Sequence, residues 1–151
     1  MRTLTRFLGA VSLGLFALAV TAQDRPGEKD GAAKLEGTYT IVSGEEDGQP
    51  IPKDRIKGSV VKFTRDRITG TDKDKKEFFA ATYTLDKSKS PWRIKMKSTT
   101  PKEAEAVGLI EKKGDTVRLI YALPGAPEPT EFKTKKGQHL FELMPAGKLD
   151  R

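Results

Sequence analysis

Period-two alternation, in short runs cut apart by polar turns, constrains this chain more than any other feature. The first run lies in residues 35–52, LEGTYTIVSGEEDGQPIP, which alternates from Gly37 to Ser43 and breaks at a turn-forming stretch from Gly44 onward. Tyr39 and Ile41 fall on one face and Thr38 and Thr40 on the other, the pattern of a half-buried strand. Val42 stands on the polar face and interrupts it. The cleanest run is 91–97, with Trp92, Ile94 and Met96 facing in and Arg93, Lys95 and Lys97 facing out.

The rhythm continues along the chain. Residues 59–64 turn Val61 and Phe63 inward, 67–71 offer Ile68, and the charged stretch 72–76 (DKDKK) is a turn. The longest run, 77–86, places Phe79, Ala81, Tyr83 and Leu85 on one face and Phe78, Ala80, Thr82 and Thr84 on the other. Residues 106–111 and 116–123 follow, the latter with Val117, Leu119 and Tyr121 inward, and 138–144 forms the last strand. Phe132, between Glu131 and Lys133, reads as a short edge strand after the stiff loop 124–129. Two helical pieces interrupt the strands. Residues 50–58 form one helical turn, with Ile51 and Ile56 placed to plug a barrel end. Thr100-Pro101-Lys102-Glu103 matches a capping box ahead of a second short helix. About eight strands without βαβ spacing predict an all-β protein, an up-and-down antiparallel barrel or a sandwich.

A hydrophobic content of 36% beside 32% charged residues suits strands with one wet face. The length of 151 residues fits one domain with its own core. The first segment is an address rather than part of that core. Residues 1–22 combine Arg2 and Arg6, an apolar stretch from Phe7 to Val20 and the small-residue exit Val20-Thr21-Ala22, the parts of a secretory signal peptide. The stretch is too short for a membrane span, so cleavage leaves no span behind. The polar residues 23–33 are a disordered tether, and the barrel domain occupies 34–149. Export predicts a periplasmic or extracellular protein.

Several chemistries lack their residues. With no cysteine and the single histidine His139, neither a zinc site nor a thiol nucleophile has support. His139 between Gln138 and Leu140 has no catalytic context and reads as a strand-end or surface residue. The acidic runs at Glu45-Glu46-Asp47 and Asp72-Lys73-Asp74 read as solvated turns, and no glycine-rich phosphate loop precedes a helix. The expectation is a non-enzymatic protein with no cofactor, no metal and no catalytic residues. The formal net charge of +7 falls by two to +5 without Arg2 and Arg6, which makes an anionic envelope polymer a candidate partner. Nucleic acid is not expected, because no stacking aromatics lie among the lysines.

Four stretches taken together, 35–43 (LEGTYTIVS), 47–52 (DGQPIP), 114–119 (GDTVRL) and 129–132 (PTEF), resemble the Planctomycetes uncharacterised domain family of small, exported, lipocalin-like proteins. The resemblance runs over about residues 34–149 and implies a lipocalin-like barrel; the family hands over no activity. Gly37-Thr38-Tyr39 is also similar to the Gly-x-Trp opening of lipocalin barrels, with Tyr39 in the Trp position. The reading is therefore a lipocalin-like up-and-down barrel with one short helical turn. Its interior takes a small apolar or amphipathic ligand against Tyr39, Phe63, Phe79, Tyr83, Trp92, Ile94, Met96, Leu119 and Tyr121. The alternative is an interaction module that uses its basic surface and loops around a filled interior.

Overall fold

A computed structural model describes residues 35–148; the expected signal peptide and tether lie outside the described residues, as do Lys34 and residues 149–151. Nine strands and one short helix follow in order: β1 Gly37–Glu46, β2 Gln49–Pro50, α1 Lys53–Ile56, β3 Val60–Phe63, β4 Arg67–Thr71, β5 Glu77–Asp86, β6 Trp92–Thr100, β7 Ala104–Lys113, β8 Thr116–Ala122 and β9 Gln138–Pro145. From β3 to β9 each strand pairs antiparallel with its neighbours in the chain, and β1 pairs with both β3 and β9. Eight strands thus close an up-and-down barrel. The two-residue β2 is a side hairpin on the end of β1. Its turn, Asp47-Gly48, has φ of 51° and 81°, the paired positive values that a tight two-residue hairpin needs and that Asp-Gly supplies.

The alternation read from the sequence becomes the inside and outside of this wall. On β6, Ile94 and Met96 are buried while Lys95 and Lys97 are exposed. One end of the barrel is packed solid. Phe63, 1% exposed, stands edge-on to Tyr39 at 5.6 Å and to Tyr83 at 6.0 Å between ring centres. Leu35, Ile94, Ile110 and Val117 are buried with them in one core. Tyr83 Oη donates to the Thr64 carbonyl at 2.8 Å, which satisfies its polar tip.

Burial, with smaller contributions from Glu36, Asp66 and Tyr39, pushes the Tyr83 phenol up to about 12 from 10.0. A folded-state value above the unfolded one means that the neutral phenol favours the fold. That stability is complete below pH 10 and is lost as pH rises from about 10 to about 12. Thermal unfolding followed across this window should show a falling midpoint, and Tyr83→Phe should flatten part of the fall.

Three irregularities interrupt the ladders, one of them leaving Thr99 as an extra residue between β5 and β6. Between β1 and β9 the register runs Ile41↔Leu143 and then Ser43↔Glu142, so Val42 is an extra residue in a β-bulge. Beyond it Gly44 and Glu46 take the inward positions, and Glu45 takes an outward one. Between β4 and β5 the register runs Gly70↔Phe79 and then Thr71↔Glu77, which makes Phe78 the extra residue. Its ring lies over Gly70, where an added β-carbon would come within 2.9 Å of Phe78 Cζ.

Two expectations are corrected. No helix follows Thr100: β6 runs to that residue, and Ser98 already pairs with Ala104 of β7, leaving room only for a turn. Strand pairing has overridden the local capping signal. Phe132 is neither in a strand nor inward. It lies in the loop 123–137, where the Arg118 guanidinium sits 4.6 Å from its ring centre on the outer wall. The loop is fastened at several points. Glu128 takes a two-pronged salt bridge from Arg93 at 2.6 and 2.9 Å. Thr134 N donates to Glu45 Oε1 at 3.0 Å, the Thr134 hydroxyl donates to the same oxygen, and Gly137 N donates to Asp47 Oδ1 at 2.6 Å. The outward residues Ile120, Ala122 and Leu140 are nonetheless buried, which marks a small second apolar layer outside the barrel.

Candidate functional site: the open half of the barrel

The inward positions toward the other end carry small residues, among them Ser59, Gly70, Ser98, Ala104 and Ala106, where the packed end carries Tyr, Phe and Ile. Small side chains on facing strands cannot meet across an eight-stranded barrel, so the lumen stays hollow there. The result is a cavity of about 530 Å³. Its walls are Ile41, Ile68, Phe79, Met96, Leu119, Phe141 and Leu143, with Ile51 and, from α1, Ile56. Phe78 and Leu123, 42% and 40% exposed, are the exposed large hydrophobic residues of the described chain, and both stand at this rim.

Of the nine expected ligand contacts, the structure places Phe79, Met96, Leu119 and Tyr121 on the cavity wall. Tyr39, Phe63, Tyr83 and Ile94 belong to the packed end, with Trp92 half-buried against the same core. All nine do face inward or line the core. Alternation reports the side of a sheet, not the height along the barrel axis, and height separates the two groups. Ile51 and Ile56 are buried in the barrel core and line the cavity.

The site also holds two polar residues that the sequence reading set aside, Glu46 and His139. Glu46, His139 and Tyr121 lie side by side in one rank across three strands, with Glu46 paired to His139 and His139 to Tyr121. His139 is a strand-end residue, as expected, but it faces the lumen and its side chain is only 20% exposed. Its Nε2 is 3.7 Å from Glu46 Oε1 and its Nδ1 is 3.4 Å from the Tyr121 hydroxyl. On the other side, Arg55 Nη1 of α1 donates to Glu46 Oε2 at 3.2 Å. Tyr121 is stacked between Phe79 and Phe141, with ring centres 6.3 and 6.4 Å away. Burial first, and the Glu46 charge second, raise its phenol well above the ordinary range. It therefore stays a neutral hydroxyl at any physiological pH.

The bulge at Val42 makes this rank. Unbroken alternation from Tyr39 would carry Ser43 and Glu45 inward and leave Glu46 outside; the extra residue exchanges them. One fault in the pattern was visible beforehand, the polar-face Val42, and it marks a bulge beside the cavity; Phe78, read as part of a regular alternation, is a second bulge that the sequence did not mark.

Among the described residues no cluster of three or more His, Cys, Asp or Glu side chains could hold a metal ion. Nor is any helix there long and apolar enough to cross a membrane. Compared with known proteins, the chain matches no family model, no curated protein and no solved structure.

Proposed function

We propose that the protein is an exported, non-enzymatic, lipocalin-like binding module whose open barrel half takes up a small apolar or amphipathic molecule. The observation that carries this reading is the cavity of about 530 Å³ with apolar walls and one polar rank near its mouth. Its size falls within the range of ligand pockets, about 300–1,000 Å³, and its few convergent polar groups fit the same description. The rival reading, an interaction module for an anionic envelope polymer, drew on the basic surface, the stiff loop 124–129 and a filled interior; the hollow half of the barrel favours the first reading, and Arg93 holds Glu128 of that loop.

Nile red, a neutral dye that brightens in apolar surroundings, tests the reading. The protein should bind it with micromolar affinity, about −8 kcal/mol. Ala106 faces the cavity from β7, and Ala106→Trp should fill the space and weaken binding at least about tenfold, about 1.4 kcal/mol, with the circular dichroism of the barrel retained. Equal dye binding by the wild type and a folded Ala106→Trp variant would place the dye elsewhere and end this proposal.

A further inference from the structure

The polar rank in the cavity specifies more than an apolar pocket requires. Glu46, His139 and Tyr121 are neighbours on three adjacent strands toward the open end, while Ile68, Met96, Leu119 and Leu143 line the rest of the cavity. A ligand entering with its apolar body first brings its other end level with that rank. The groups there are gathered but loosely joined. The separation of 3.7 Å between His139 Nε2 and Glu46 Oε1 exceeds a hydrogen bond, and 3.4 Å between His139 Nδ1 and the Tyr121 hydroxyl is at its outer limit. One small polar group inserted among them would gain a donor and an acceptor at once.

Charge decides which group that is. The lining contains two carboxylates, Glu46 and Asp72, and two cations, Arg55 and Lys102. The Glu46 charge is matched by Arg55 at 3.2 Å. Asp72 Oδ1 already accepts the backbone N–H groups of Asp74 and Lys76, each at 2.9 Å, and Lys102 is exposed at the rim. A ligand carboxylate at the rank would face Glu46, with Arg55 already committed to that carboxylate and His139 a cation only when protonated. A ligand ammonium would compete with Arg55 for Glu46 and press against its guanidinium. A hydroxyl or carbonyl meets neither cost, and burying it is favourable once it is hydrogen-bonded. Resting on the binding function proposed above, we propose that the site selects amphipathic ligands with an uncharged hydroxyl or carbonyl head, held by Glu46, His139 and Tyr121.

The test is displacement of Nile red by decanol, decanoate and decylammonium, which share one chain and differ in the head. Decanol should bind about tenfold or more tightly than either ion. Glu46→Gln removes the inner negative charge and leaves Arg55 unmatched, so it should shift preference toward decanoate. Arg55→Gln, at a side chain 61% exposed and so remote from folding, should shift it toward decylammonium. Decanoate binding as tightly as decanol to the wild type would overturn the selectivity while leaving the cavity reading intact. Preferences unmoved in both variants would do the same. Failure of every compound, Nile red included, would bring down both proposals together.

Discussion

Gly108→Ala should lower the unfolding free energy by about 3 kcal/mol, the upper part of the usual range for forcing extra atoms into a well-packed site. Gly108 lies opposite Tyr121, where β7 and β8 approach closely. A β-carbon there would run into the Ile120 carbonyl oxygen and stand 2.8 Å from Tyr121 Cα. Both obstacles are backbone, so no rotamer change relieves the collision. The strands must separate, and Tyr121 moves with them. Gly114→Ala is the control, because a β-carbon there has nothing within 4 Å and its cost comes from a φ of +58° alone. That cost is about 1–2 kcal/mol. Urea denaturation of both variants compares them; a Gly108 variant no weaker than the Gly114 variant would show that the two strands are not so close.

Phe63→Ala should cost about 3–5 kcal/mol, as expected for emptying a fully enclosed aromatic site. Phe63 is 1% exposed and is held edge-on by Tyr39 and Tyr83. Phe79→Ala should cost less, about 1–2 kcal/mol, because its ring already borders open space and is only partly buried. Binding should show the opposite order. Loss of Phe79 removes a cavity wall and one of the two stacking partners of Tyr121, while loss of Phe63 alters only the far end. Melting curves and Nile red titrations of the pair measure both quantities, and matching losses in the two variants would argue against a barrel divided into a packed half and a hollow half.

Much of the fold was legible because a strand repeats every two residues and the turns between strands are polar. Ile94 and Met96 against Lys95 and Lys97 leave no other assignment for β6. Closure of β1 on β9 was plausible from the strand count, but it is a contact between distant parts of the chain and carries no local mark. The helix after Thr100 misled because its capping signal is local, whereas the hairpin that replaced it draws on the full length of β6 and β7. The site was legible by halves. Phe79, Met96, Leu119 and Tyr121 lie on the cavity wall, since facing inward is what periodicity reports. Tyr39, Phe63, Tyr83, Trp92 and Ile94 share that periodicity but lie among large neighbours, and neighbours across the barrel cannot be read from one strand. Glu46 was passed over because a single bulged residue, Val42, moves it to the other face, and His139 because its polar neighbours come from other strands.

Methyl resonances, followed as decanol is titrated into the protein, test the central claim most directly. The account predicts that Met96, Leu119, Ile68 and Ile56, which border the cavity, shift with the same saturating dependence. Ile94, Ile110 and Val117, buried in the packed core, should stay in place. Shifts confined to surface methyls, or shared equally by Ile94 and Ile110, would contradict a ligand site in the open half of the barrel.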